Sequence, residues 1–353
     1  MTGQQPDGVG LNTAPAVSVI IPCRNERDFI GRCLDGLLAQ EPPVGGFELI
    51  VADGFSTDGT RELLQQHSAR QSSVRVIDNP GRIVSTGLNR AIAAARGQII
   101  MRADVHTEYA NDYLRQCVSV LNEAGADNVG GPWIAARQGY VGTAIAAAFQ
   151  SRFGSGGGRA HDPHYEGEVD TVYLGCWRRE CFERFGWFDE ELVRNQDDEF
   201  NLRIARAGGV VWQSPRIKSQ YYPRASLGAL FRQYLQYGYW KVRVIQKHRL
   251  PASWRHVMPA VFVVTMLALS ATATVSAAAR WMLVMLAAAY LAAAVAASLA
   301  AVTRSEAKHV PLLPVVFFCM HVGYGCGFLR GIVDFVVLRR APTARMSALT
   351  RSG

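Results

Sequence analysis

Short apolar runs alternate with amphipathic stretches over the first hundred residues. The runs predict buried strands at residues 17–22, 47–52, 74–78 and 99–103. Apolar residues at helical spacing predict helices between them, at residues 30–40, 60–69 and 83–95. This alternation favours an α/β fold, a mostly parallel sheet with helices on both faces. Ligands bind such sheets at the carboxyl ends of the strands, so the residues after each strand are candidates for chemistry.

A different pattern begins after residue 250. Two apolar blocks, residues 257–278 and 281–302, contain between them a single charged residue, Arg280. At 1.5 Å per residue each block is roughly 33 Å long, enough to cross a bilayer. A third block, residues 311–338, is interrupted by His321, Arg330 and Asp334, and is compatible with a tilted span or a re-entrant hairpin. We therefore predict a disordered N-terminus (1–15), an α/β domain (16–250), a C-terminal transmembrane helical domain (251–340) and a basic tail (341–353).

The charge is concentrated near the apolar blocks. The chain has 37 Lys and Arg against 29 Asp and Glu, a net charge of +8. Basic residues gather before the first block and after the third, where attraction to a membrane surface explains them better than nucleic-acid binding. The positive-inside rule places the first group in the cytosol. Placing both groups there requires an even number of crossings, whereas three spans would put the tail outside, and the sequence leaves this open.

Cysteines and the N-terminus bear on the compartment. The seven cysteines form no CxxC pair, which favours reduced thiols. Residues 1–16 lack the basic and apolar regions of a signal peptide. We expect a multi-pass protein of the inner (plasma) membrane whose α/β domain is cytoplasmic.

Polar motifs follow the predicted strands. Strand one ends in Pro22-Cys23-Arg24-Asn25-Glu26 and strand two in Asp53-Gly54-Phe55-Ser56-Thr57. An acid at such a strand end can accept a hydrogen bond from a nucleotide base or ribose, although an ordinary turn that caps the next helix is the alternative. Two such motifs at successive strand ends favour a nucleotide site.

Strand four is followed by Asp104-Val105-His106. Residues two apart in an extended segment point the same way, so both side chains can meet one divalent ion that neutralises a diphosphate. Imidazole suits Mn²⁺ better than Mg²⁺. The alternative is an acid and a histidine on a solvated strand end.

Three adjacent acids, Asp197-Asp198-Glu199, open a helix after Asn195-Gln196. The helix macrodipole explains acids in a first turn. The functional alternative is that one carboxylate faces the cleft and removes a proton from an acceptor hydroxyl.

Together, PCRNE, ADGFSTDGT, D-V-H and QDDEF-x-x-R resemble the inverting glycosyltransferases of family 2, which have the GT-A fold (a Rossmann-like sheet with helices on both faces). The resemblance covers residues 17–241 and is strongest to the succinoglycan-type branch that builds exopolysaccharides. It implies that Pro22, Arg24 and Glu26 line the nucleotide pocket and that Asp53 holds the uracil. It further implies that Asp104 and His106 correspond to the D-x-D metal motif, with Mn²⁺ or Mg²⁺, and that Asp197 is the catalytic base.

The same resemblance implies a donor and an acceptor. It suggests a UDP-hexose and a polyprenyl-diphosphate-linked saccharide. The candidate acceptor or donor-site residues are Trp177, Asp198, Arg224, Gln236 and Trp240. His106 replaces the usual second Asp, Gln196 replaces Glu, and Tyr239 replaces the Arg of the Q-x-x-R-W clamp of processive synthases. The last departure favours transfer of a single sugar; a processive synthase and a non-catalytic nucleotide-binding membrane protein are the alternatives.

Overall fold

The structure, a computed structural model, describes residues 14–224, 226–249 and 253–348. The expected disorder at residues 1–15 lies almost wholly outside these ranges, as does the end of the basic tail. The strands are β1 (Val17–Cys23), β2 (Phe47–Asp53), β3 (Val74–Asp78), β4 (Ile99–Arg102), β5 (Thr107–Tyr109), β6 (Asn128–Gly131), β7 (Gly167–Glu168), β8 (Tyr173–Arg178), β9 (Val211–Gln213) and β10 (Ser219–Tyr221). The helices are α1 (Arg27–Leu38), α2 (Thr60–Arg70), α3 (Val84–Ala94), α4 (Tyr113–Ala124), α5 (Gly139–Gln150), α6 (Arg152–Ser155), α7 (Glu180–Phe185), α8 (Gln196–Arg206), α9 (Leu227–His248), α10 (Met258–Thr272), α11 (Ala277–Ala301), α12 (Leu313–Gly331) and α13 (Ala344–Ser347).

The central sheet confirms the predicted fold class. Its order is β3-β2-β1-β4-β8-β6-β9-β7, and the first four strands are parallel. β8 runs antiparallel between β4 and β6. Cys23 is level with Asp53, and Asp53 with Asp78, so the carboxyl ends of β1, β2 and β3 meet at one edge.

Helices cover both faces of this sheet. Alternate residues of β1 point to opposite sides: Val19 and Ile21 pack against α1 and α4, whereas Ile20 packs against α3. The α3 side also holds an aromatic cluster, in which Phe182, Phe188 and Phe200 surround Trp177. The sheet is thus buried on both faces, as its apolar strands predict.

Within the described ranges, three helices are long and apolar enough to cross a membrane: Trp254–Thr272, Ala277–Ala301 and Leu313–Val337. The third block is one continuous helix, α12 extended by a π-helical turn at Ile332–Val337, so it contains no re-entrant break. The first two are mostly exposed, whereas 44% of the third is buried. That helix packs along α9, so the domain boundary near residue 250 stays a prediction.

Candidate active site

A cavity of about 330 Å³ opens at the carboxyl ends of β1 and β4. One wall comes from the strand ends and α8, and the other from α9, the residues just before it, and the segments that carry the apolar helices. On the first side lie Pro22, Arg24, Glu26, Arg102, Asp104, His106, Asp197 and Asp198. On the second lie Arg224, Gln233, Tyr237, Lys241, His256 and Tyr324. The topology therefore places the cavity where open α/β sheets bind ligands.

The Asp104 carboxylate is held at the end of β4. Its Oδ1 accepts a hydrogen bond of 2.9 Å from the His106 backbone N–H. Its own N–H donates to the Tyr109 hydroxyl at 2.7 Å. The His106 ring is buried and turned to Glu26, with Nε2 2.8 Å from Oε2. Asp104 is thus fixed beside the cavity while His106 and Glu26 are paired with each other.

The residues around Asp104 can be compared with the ligands that divalent ions prefer. In the described ranges no three His, Cys, Asp or Glu side chains converge as a metal site. Mg²⁺ commonly binds through one or two carboxylates plus substrate phosphates, and carboxylate also suits Mn²⁺. Asp104, which faces the cavity, fits an ion shared with a diphosphate. Direct ligation by His106 stays a prediction.

Asp197 and Asp198 begin α8 and differ in their surroundings. Asp197 Oδ2 lies 3.5 Å from Arg102 Nη1, at the end of β4. Burial raises the pKa of Asp197, and although Arg102 opposes this shift, neighbouring Asp198 adds to it. Burial acts on Asp198 in the same direction, but the Lys241 ammonium, 2.7 Å away, lowers the pKa of Asp198 below its usual value. Asp197 is therefore the better proton acceptor of the two.

The cavity is rich in positive charge and in polar atoms without partners. Basic side chains lining it are Arg24, Arg82, Arg102, Arg194, Arg224 and Lys241. Within the described ranges, several buried polar atoms that make no hydrogen bond also belong to lining residues: Arg102 Nε, Trp133 Nε1, Gln196 Oε1, Gln233 Oε1, His256 Nδ1 and Tyr324 Oη. Unpaired buried polar atoms are costly and few in folded proteins. Their concentration around one cavity indicates a polar, anionic ligand.

Asp53, expected to hold a nucleobase, is placed differently. It is fully buried at the end of β2 and is not among the residues that line the cavity. Its Oδ1 accepts a 2.6 Å hydrogen bond from the Ser56 hydroxyl, and its Oδ2 a 2.9 Å bond from Arg61. Asp53 lies level with Cys23, which does line the cavity, so it adjoins the site from behind.

Three expected acceptor-site residues also lie outside the cavity. Trp177, on β8, is 1% exposed and packs in the aromatic cluster on the α3 side of the sheet. Trp240 Nε1 donates to the Met346 carbonyl at 3.0 Å. Gln236 accepts a 3.1 Å hydrogen bond from Arg194 and donates to the Ala348 carbonyl at 2.8 Å. Trp177 is thus a core residue, and Gln236 and Trp240 bind the C-terminal segment.

Some cavity residues were not singled out by the sequence. Arg102 ends β4 and precedes Asp104 by two positions, so the alternation expected for Asp104 and His106 would also have indicated Arg102. In the structure Val105 and His106 form a turn instead of continuing the strand. Lys241 follows Tyr237 by one helical turn, and both line the cavity. No sequence signal indicates Tyr324, which depends on how α12 packs.

Comparisons with known proteins agree with this geometry. Residues 18–177 match the family Glycosyl transferase family 2. The chain is 30% identical to the succinoglycan biosynthesis protein ExoA of Rhizobium meliloti, over 92% of this chain and 97% of that protein. It is 23% identical, over 90% and 97%, to the dolichyl N-acetyl-alpha-D-glucosaminyl phosphate 3-beta-D-2,3-diacetamido-2,3-dideoxy-beta-D-glucuronosyltransferase of Methanococcus voltae.

A solved structure has the same fold. The mannosyltransferase PcManGT from Pyrobaculum calidifontis, in complex with GDP-Man and Mn²⁺, superposes with a TM-score of 0.58 at 19% identity. The superposition covers 91% of this chain and 88% of that one. The 30% identity to ExoA over nearly the full length of both chains confirms the resemblance drawn from the motifs, and the shared fold agrees with it. The chain belongs to glycosyl transferase family 2.

Proposed function

We propose that this chain is an inverting, metal-dependent hexosyltransferase that moves one sugar from a nucleotide sugar, such as a UDP-hexose, to a polyprenyl-diphosphate-linked saccharide. The observation that carries the proposal is that Asp104 and Asp197 line one cavity together with several arginines and Lys241. The positive charge would stabilise the leaving diphosphate, and a carboxylate would act as general base for the acceptor hydroxyl.

The chemistry follows from these positions. Asp197 takes the proton of the acceptor hydroxyl as its oxygen attacks the anomeric carbon, and the bond to the diphosphate breaks on the opposite face. The diphosphate leaves with the electron pair. Arg102 lies next to Asp197 and lowers the pKa of Asp197 against the effect of burial, which favours the ionised form of the base. A divalent ion, when bound at Asp104, supplies further positive charge to the leaving diphosphate.

A lipid-linked acceptor is supported by the second wall of the cavity. His256 precedes α10 and Tyr324 belongs to α12, so segments of the candidate membrane part reach the cavity directly. His256 Nδ1 and Tyr324 Oη are buried there without a hydrogen-bond partner in the described ranges. Arg224 and Lys241 on the same wall suit the phosphates of such an acceptor. The α/β part accordingly works at the cytoplasmic face of the inner membrane.

Transfer of a single sugar is supported by Tyr239. It stands where processive synthases have an arginine, and its hydroxyl donates a 3.1 Å hydrogen bond to Asp334 instead of lining the cavity. The site therefore lacks that clamp for a growing chain.

The test uses the full chain in lipid nanodiscs. Radiolabelled nucleotide sugars are supplied one at a time with bacterial membrane lipid extract, in Mn²⁺, Mg²⁺ or chelator. We expect one donor to label a lipid product heavier by a single hexose, in the presence of either metal but not in chelator. Binding of a nucleotide with neither transfer nor slow donor hydrolysis would contradict the proposal and favour a non-catalytic nucleotide-binding protein. A ladder of products would favour a processive synthase.

A further inference from the structure

α12 contacts α9 at very close range. Gly323, Gly327 and Gly331 recur one turn apart on α12, and a Cβ placed on Gly327 would lie 1.9 Å from the Leu235 carbonyl oxygen. Their neighbours on α9, in the same order, are Phe231, Leu235 and Tyr239. Both series rise in steps of four, so the two helices run parallel and their backbones touch over several turns.

Both ends of α12 are also tied to the α/β part. Before it begins, Glu306 forms an ion pair with Arg137, and the Lys308 carbonyl accepts a 2.9 Å hydrogen bond from the Tyr140 hydroxyl. After it ends, the chain returns to α9, where Met346 is buried and its carbonyl accepts from Trp240. Midway, His321 Nε2 lies 2.9 Å from the Phe153 carbonyl oxygen.

These contacts decide how α12 can meet a membrane. α9 carries four basic residues, Arg232, Lys241, Arg243 and Lys247. If α12 stood across the bilayer, α9 would stand beside it, and each Lys or Arg near the bilayer centre costs about 2.5–3.5 kcal/mol. The Arg137–Glu306 pair, before α12, and the tail, after it, would then lie on opposite sides of the membrane. The α/β part contacts both, so its polar surface would have to pass through the bilayer.

We infer that α12 does not cross the membrane: it lies along the near surface, the chain crosses only through the α10–α11 hairpin, and the C-terminal tail returns to the side of the α/β domain. The side of α12 and of its π-helical extension away from α9 suits this position. Val315, Phe318, Val333, Val336 and Val337 are exposed there and apolar. The charged side chain of Arg330 is exposed as well, and it pairs with Asp334 one turn later. This inference does not depend on the proposed reaction.

The hairpin has the length for two crossings. The Tyr290 hydroxyl on α11 lies 2.9 Å from His321 Nδ1 on α12, so Tyr290 marks the position along α11 at which α12 packs. From Tyr290 back to Ala277, at the hairpin turn, is about 20 Å at 1.5 Å per residue, and the diameter of α12 adds about 10 Å. The sum is near the roughly 30 Å of a hydrocarbon core. Exposed Arg280 and Trp281 then reach the far headgroups.

The two basic groups of the sequence are reconciled by this arrangement. Lys241 and Arg243 on α9 and Arg340 after α12 lie on one side of the hairpin, as the positive-inside rule requires. Arg340 is held there by an ion pair of 2.7 Å with buried Asp334, which also accepts from Tyr239 of α9. The number of crossings is two, an even number.

The experiment places single new cysteines in the full chain in intact cells: Ser72→Cys on the α/β domain, Thr274→Cys at the hairpin turn and Ala344→Cys in the tail. All three positions are exposed. A membrane-impermeant maleimide is applied before and after permeabilisation. Of the seven natural cysteines five are buried, and Cys319 and Cys326 are partly exposed on α12, so the unmutated chain gives the background.

We expect Thr274→Cys to react in intact cells, and Ser72→Cys and Ala344→Cys to react only after permeabilisation. Reaction of Ala344→Cys in intact cells would mean three crossings and would overturn the inference. Protection of Thr274→Cys from the outer reagent would overturn it as well, because the hairpin would then not cross. Thermal unfolding of each purified variant, compared with the unmutated chain, checks that the substitutions leave the fold intact.

Discussion

Arg102 Nη1 lies 3.5 Å from Asp197 Oδ2 across the cavity, joining the end of β4 to the first turn of α8. This contact links the two halves of the candidate site. Asp104, two residues after Arg102, faces the same cavity, so the end of β4 places Asp104 there and contacts Asp197 through Arg102.

The first prediction concerns the pH profile of sugar transfer. Arg102 lowers the pKa of Asp197 against the stronger effect of burial, so replacing Arg102 with Gln raises that pKa further. Because the base must be ionised, the acidic limb of the kcat/KM profile should move to higher pH in Arg102→Gln than in the unmutated chain. Arg102→Lys keeps the charge and should leave the limb near its original place. An unmoved limb in Arg102→Gln would mean that another group controls it.

A second prediction concerns Asp104. Asp104→Asn keeps the acceptor oxygen for the His106 N–H but removes the negative charge offered to a cation. Calorimetry with a nucleoside diphosphate should show that Mn²⁺ strengthens binding to the unmutated chain. In Asp104→Asn, affinity with Mn²⁺ should fall to the level measured in chelator. A full Mn²⁺ effect in this variant would place the ion elsewhere.

The third prediction tests the packing of α12 on α9. An Ala side chain at position 327 would overlap the Leu235 carbonyl, so Gly327→Ala should lower the free energy of unfolding by about 1–3 kcal/mol. The matched control is Gly36→Ala in the last turn of α1, where an added Cβ meets nothing within 4 Å and should stabilise by about 0.5–1 kcal/mol. Thermal unfolding in detergent measures both. Equal effects at the two positions would refute the close contact.

A fourth prediction concerns Glu48, a buried carboxylate at the start of β2. It accepts hydrogen bonds from Ser18, Arg75 and Arg96. Burial alone would raise its pKa, but these donors, Arg75 foremost, lower it below the usual 4.5. The stabilisation is therefore complete above pH 4.5 and is lost as the pH falls through the lower folded-state pKa.

Glu48→Gln should accordingly cost about 2–3 kcal/mol at neutral pH, a modest figure because both arginines are partly solvated. It should also make unfolding less sensitive to acid below pH 4.5. Exposed Glu62→Gln on α2 is the control, with little change in either quantity. Identical acid sensitivity in Glu48→Gln and the unmutated chain would show that Glu48 does not couple folding to pH.

Local pattern was enough for the α/β half and for part of the site. The strand ends carry their own polar residues, and both Asp104 after β4 and Asp197 in the first turn of α8 line the cavity. Their roles in binding and catalysis stay predictions. Asp53 was expected in the cavity too. Its carboxylate is instead buried and accepts a hydrogen bond from Arg61, in the first turn of α2. That pairing depends on side-chain geometry that strand periodicity does not contain.

Long-range packing explains the remaining differences. Trp177 is core because β8 inserts antiparallel between β4 and β6, a pairing that no local pattern specifies. Hydropathy alone could not reveal the contact of α12 with α9, because that contact is made by glycines and backbone. The contacts of Trp240 and Gln236 with the C-terminal segment could not be predicted either, because their partners are distant in the chain.

Asp197→Asn in the full chain is the most direct test of the central claim, that the cavity transfers a sugar with Asp197 as base. Once the donor is known, transfer to lipid is measured beside nucleotide binding, with Glu62→Gln as the control. We predict that transfer falls about 10²–10⁴-fold while nucleoside diphosphate binding stays within a few-fold. Transfer by Asp197→Asn at the rate of the control would contradict the account.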